Sequence, residues 1–108
     1  MRLVIIESPF AGDVEKNLRY ARAAMADCIR RGEAPYASHA LYTQPGVLDD
    51  DKPEERATGI LAGFAWAEVA AARVVYGDLG TSRGMQAGID HANRIGQPVE
   101  YRCLEGWK

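Results

Sequence analysis

The chain has 108 residues, room for one domain (1–108) with one hydrophobic core and not for two. Hydrophobic residues make up 47% and charged residues 26%, the usual mix of a soluble globular protein. A formal net charge of −2 with no lysine/arginine block argues against a surface for duplex nucleic acid, which needs clustered positive charge.

The first element is Leu3–Ile6, an apolar β-branched run that suits a central parallel strand buried on both faces. It begins at the N-terminus and is too short for a signal peptide or a membrane span, so a cytoplasmic protein with no membrane partner is expected. A loop, Glu7-Ser8-Pro9-Phe10-Ala11-Gly12-Asp13, leads into a helix with Asp13 as N-cap and Gly32 as stop. Val14, Leu18, Ala21, Met25, Cys28 and Ile29 form its expected apolar side. Ala34–His39 is the expected second strand, with Pro35 acceptable at its start or on a sheet edge. A polar loop, Ala40–Lys52, carries Tyr42 and Asp49-Asp50-Asp51. Pro53 then opens a small-residue helix that runs to about Ala71, with Trp66 expected in the core. Arg73–Tyr76 is the third strand and Val99–Arg102 the fourth. Between them a Gly-rich turn precedes a helix whose inward residues are Met85, Ile89 and Ala92. Strands alternating with helices give an α/β fold with a parallel sheet covered on both sides.

In such sheets ligands bind beyond the carboxyl ends of the strands, where three polar loops gather: 8–13, 38–44 and 78–84. The turn Gly80-Thr81-Ser82-Arg83-Gly84 combines free N–H groups, hydroxyls, a guanidinium and a helix N-terminus, the ingredients of a phosphate or carboxylate cradle. Asp78, directly after a strand, is placed to accept from ribose hydroxyls. Phe10 and Tyr42 are placed to stack on a base. Ser8, Asp13, Ser38 and His39 complete the candidate set, although His39 reads equally as a hydrogen-bonded structural histidine and His91 as a helix flank. Cys28 and Cys103 match no metal spacing and read as buried free thiols. The aspartate run reads as a solvated loop, and no metal or cofactor is expected.

The Ser8-Pro9-Phe10 loop, Asp78 and Ser82-x-Gly84 together resemble the nucleoside 2-deoxyribosyltransferase-like superfamily over nearly the whole chain. The resemblance implies a flavodoxin-like three-layer sandwich with four or five parallel strands in the order 2-1-3-4. It also implies homo-oligomers and a nucleoside, nucleotide or ADP-ribose-like ligand. By match, Phe10 would hold the base and Asp78 the sugar. In the superfamily's enzymes a glutamate early in the helix after strand three attacks the anomeric carbon. Aligning residues 84–92 with that stretch puts Gly88 in its place, and glycine has no nucleophile.

The resemblance therefore implies no catalytic residue, and binding of a nucleotide-like molecule without turnover. In a phage setting the role would be to sequester a nucleotide immune signal such as a cyclic ADP-ribose isomer. An N-glycosidase or deoxyribosyltransferase using Glu7, Asp13 or Asp90 is the alternative. A structural module whose small-residue helix 57–71 is a dimer surface is the third reading.

Overall fold

The computed structural model describes residues 1–107. In chain order the elements are β1 (Arg2–Glu7), α1 (Val14–Arg30), β2 (Glu33–Tyr36), α2 (Ser38–Leu41), α3 (Pro53–Ala67), β3 (Ala72–Tyr76), α4 (Arg83–Arg94) and β4 (Val99–Arg102). The four strands form one sheet in the order β2-β1-β3-β4, and every ladder is parallel. The chain steps from β1 to β2 in one direction and from β2 to β3 and β4 in the other. Right-handed crossovers then send α1 to one face and α3 and α4 to the opposite face.

Strand alternation divides the core accordingly. Val4, Ile6, Val74 and Tyr76 meet Tyr20, Ala24 and Cys28 of α1, while Val75 packs with Met85 and Ile89 of α4. Beneath α1 the Arg102 guanidinium binds both carboxylate oxygens of Glu33, at 2.7 and 2.8 Å, and Arg2 reaches the same carboxylate at 3.1 Å. These contacts hold Glu33 below the usual carboxylate range, the Arg102 hydrogen bonds contributing most.

Several local expectations need correction. Residues 38–41 are a short helix and not the end of β2, so Ser38 and His39 leave the sheet. Helix α3 stops at Ala67, where the chain turns back and Ala71 N–H donates to Leu3 C=O at 2.7 Å. The buried side of α1 is Asn17, Tyr20, Ala21, Ala24 and Cys28, which leaves Val14 and Ile29 exposed; Tyr20 and Asn17 own the inner face through their hydrogen bonds. Trp66 is exposed and donates to the Tyr42 hydroxyl at 3.0 Å. Cys28 is a buried thiol, whereas Cys103 is exposed. His91 is buried, stacked on Phe64 with ring centroids 4.0 Å apart.

Candidate functional site

The order of strands reverses between β1 and β3, and a cavity of about 100 Å³ opens beside their carboxyl ends on the α3/α4 side. Its wall draws on every neighbouring element. Glu7 ends β1, Ser8, Phe10 and Ala11 follow in the loop, and Arg73 comes from β3. Ser38 and His39 are the first two residues of α2, and α3 adds Arg56, Ile60 and Phe64. Ser82, Gly84 and Met85 close it from the start of α4.

Each part is held in place by local chemistry. Asn17 of α1 donates to the carbonyls of Phe10 and Ala11, at 2.9 and 3.1 Å, and so fixes the loop after β1. Asp13 accepts from Lys16 N–H at 3.2 Å and caps α1, and Gly12 supplies the left-handed φ of 100° that the turn requires. Gly63 lets α3 close on α2, because a Cβ there would sit 2.7 Å from Ser38 Oγ. Ser82 caps α4 by accepting from Met85 N–H at 3.2 Å.

Two ionisable groups face this cavity in uncharged form at neutral pH. His39 Nε2 lies 2.7 Å from Ser8 Oγ, and burial lowers the imidazole to about 4. Burial raises Glu7 to about 8, a shift that the nearby Arg73 charge offsets in part. The Glu7 carboxylate oxygen is 3.5 Å from Arg73 Nη1, which is ion-pair range and beyond a good hydrogen bond. Arg73 is fully buried. Its Nη1 donates to Gly88 C=O and its Nη2 meets His91 Nδ1 at 2.8 Å.

The cavity continues outward. A second space of about 70 Å³ lies between His39, Tyr42, Arg56 and Ile60. An open cleft of about 570 Å³ runs from Phe10 and Val14 to the loop 43–51 and Glu55. Phe10 stands between the inner cavity and the open cleft and borders both. An inner volume near 100 Å³ falls short of the roughly 300–1,000 Å³ of whole ligand sites, a range the outer cleft reaches.

The structure gathers Ser8, Phe10, Ser38, His39, Ser82 and Gly84 around the inner cavity, and Tyr42 borders the adjoining space. It does not bring the other candidates there. Asp13 is an exposed cap, and Gly80, Thr81 and Arg83 are exposed outside the lining. Asp78 follows Tyr76 in strand parity to the α1 side, where its carboxylate accepts from Tyr20 O–H at 2.7 Å and Leu104 N–H at 2.8 Å. These bonds, against a desolvation that works the other way, leave Asp78 below the usual carboxylate range. Arg73 was legible only as a strand residue, and Glu7 as the first loop residue and one of three alternative carboxylates. The signal that finds them is parity: Ile5/Glu7 and Arg73/Val75 share the face opposite Val4/Ile6 and Val74/Tyr76. Among the described residues no cluster of three or more His, Cys, Asp or Glu side chains is placed to hold a metal ion. No helix is long and apolar enough to cross a membrane.

A parallel sheet wound in both directions from β1, with a polar cavity where the order reverses, defines a flavodoxin-like α/β protein. The family model for a domain of unknown function, DUF7768, matches residues 2–102, and the chain belongs to that family. Among solved structures the fold is similar to that of a 2-deoxyribosyltransferase from the psychrotolerant bacterium Bacillus psychrosaccharolyticus. The TM-score is 0.66 at 18% sequence identity, with 96% of this chain and 74% of that chain covered. At that identity the likeness establishes the fold. No curated protein matches this sequence.

Proposed function

We propose that this protein binds a nucleoside- or nucleotide-like ligand at the carboxyl edge of its sheet and holds it without turnover. The sugar occupies the inner cavity, and the base lies beside Phe10 in the outer cleft. The observation that carries this reading is the inner wall itself. Glu7, Ser8, Ser38, His39 and Ser82, with burial pushing Glu7 and His39 toward their uncharged forms, stand beside the charged Asp50, Arg56 and Arg73, a set of donors and acceptors that suits a hydroxyl-rich ring. The likeness in fold to a 2-deoxyribosyltransferase supports the same ligand class. A carboxyl group raised to about 8 is mostly protonated at pH 7, which weakens it as a nucleophile. Intact retention of the ligand is the property that a sequestering protein needs.

A second reading, N-glycosidic bond cleavage, is favoured by the same residue. Once ionised above about pH 8, Glu7 is a carboxylate facing the cavity. One experiment separates the two. Purified protein is mixed with a panel of nucleosides, nucleotides and ADP-ribose derivatives at pH 6, 7 and 9. Thermal shifts are recorded, and the ligands are then recovered by denaturation and weighed by mass spectrometry. Stabilisation with intact ligand at every pH supports the binder. Free base that accumulates as pH rises through 8 supports cleavage, and no shift with any compound defeats both.

A further inference from the structure

Glu7 ends β1 with its side chain directed to the α3/α4 face, opposite the second turn of α4. The residue facing it there is Gly88, which is buried. A Cβ built on Gly88 would lie 2.7 Å from Glu7 Oε1 and nearer still to Cδ and Oε2. No real Cβ tolerates such contacts, so any side chain at position 88 and the carboxyl group of residue 7 compete for one volume.

The carboxyl group filling that volume is largely buried, its side chain 15% exposed, and it faces Arg73 Nη1 at 3.5 Å. Among the described residues it makes no hydrogen bond, and the same guanidinium also donates to Gly88 C=O and meets His91 Nδ1. The other carboxylate lining the cavity, Asp50, is paired with Arg56 at 3.8 Å. A carboxyl group held largely out of water, with no hydrogen bond and with a cavity beside it, is a group that a ligand entering the cavity can meet.

We infer that Glu7 and Gly88 are a matched pair, in which β1 delivers a carboxyl group of the cavity wall to the ligand's sugar hydroxyls and Gly88 leaves the space that houses it. The inference rests on the ligand class proposed above, and its geometric half stands without it.

Two mutant cycles test the pair. In the first, Gly88→Ala, Glu7→Ala and the double variant are compared by thermal and urea unfolding, with no ligand present. Gly88→Ala lowers the midpoint when Glu7 is present, and is neutral or stabilising in the Glu7→Ala background, where alanine's better helix propensity prevails. Equal destabilisation in both backgrounds overturns the shared volume.

In the second cycle, Glu7→Gly, Glu7→Gln and Glu7→Gly/Gly88→Glu are titrated with adenosine, inosine and thymidine. The probe is whichever of these stabilises the wild type. Glu7→Gly weakens binding about tenfold or more, and the exchanged double variant recovers most of it. Glu7→Gln keeps the shape of the side chain and serves as the folding control. A folded double variant with no recovery overturns the role toward the ligand. If none of the three nucleosides stabilises the wild type, the ligand half of the inference falls with the proposed ligand, while the first cycle still decides the pairing.

Discussion

Burial pushes the two ionisable groups of the inner cavity in opposite directions, and the consequences for stability have opposite signs. Folding raises Glu7 from 4.5 to about 8, so across that window the folded protein holds a proton that the unfolded chain releases. Its contribution is complete below about pH 4.5 and is lost as pH rises towards 8. His39 is lowered from 6.5 to about 4, so its contribution is complete above 6.5 and is lost as pH falls through 4. Glu7→Gln should therefore flatten the decline in stability between about pH 6.5 and 8.5, where His39 no longer titrates, as read by urea unfolding at fixed ionic strength. A variant with the wild-type slope would mean that Glu7 titrates normally. Asp78 belongs to a different economy of contacts. It locks Tyr20 and the backbone of Leu104, so Asp78→Ala should cost about 1.5–3 kcal/mol of unfolding free energy. Unchanged stability would return Asp78 to the list of ligand-facing candidates. The sequence places Asp78 at a strand end but does not say which side of the sheet it faces. One face carries Val4, Ile6, Val74 and Tyr76 and the other Ile5, Glu7, Arg73 and Val75, and only the pairing of β1 with β3, which the sequence does not announce locally, brings Glu7 and Arg73 together.

At the scale of elements, what was legible had period and punctuation. The helix α1 shows a clear apolar repeat behind Asp13, and α4 begins at Ser82 and ends before Gly96 and Pro98, so both could be placed from sequence. The four-residue α2 is too short to show a helical repeat. Its only signal is the run Ser38-His39-Ala40-Leu41 after Pro35, which reads equally well as strand. Yet α2 is the element that brings His39 onto Ser8, so the missed element carried Ser38 and His39 of the cavity's polar wall. The Gly80–Gly84 turn reads as an anion cradle because its composition is right. In the fold, Ser82 turns inward to cap the helix while Arg83 points away from the cavity lining. Ser82→Ala should lower stability by about 0.5–2 kcal/mol through loss of the cap, with the urea midpoint falling and the slope unchanged. A midpoint within error of wild type would show that the α4 start is held by packing alone.

For the whole molecule, the strand order 2-1-3-4 and two-faced layering were readable because connection rules leave few alternatives for four strands and their crossovers. The long-range polar tie was not readable. Glu33 opens one edge strand and Arg102 closes the other, sixty-nine positions apart, and nothing local announces that they meet beneath α1. Arg102 also donates to the Glu100 carboxylate at 2.9 Å, so one guanidinium joins both margins of the sheet. Arg102→Ala leaves Glu33 buried without its main partner and should cost about 3–5 kcal/mol in chemical denaturation. A loss below about 1 kcal/mol would show that water or Arg2 replaces it.

The inner and outer parts of the cleft are made of different material. Strand ends and helix termini, fixed by ladder hydrogen bonds and caps, form the inner wall. The far side of the outer cleft is a single loop, 42–52, pinned by turns such as Leu48 N–H to Tyr42 C=O at 3.0 Å and by Asp49 N–H to the Glu55 carboxylate at 3.1 Å. Substitutions and insertions in that loop leave the sheet and its caps untouched, whereas changes at Glu7, Ser8 or Gly88 disturb the core. Descendants of this chain can therefore vary the breadth and charge of the outer chamber at one tempo while the inner chamber stays nearly frozen.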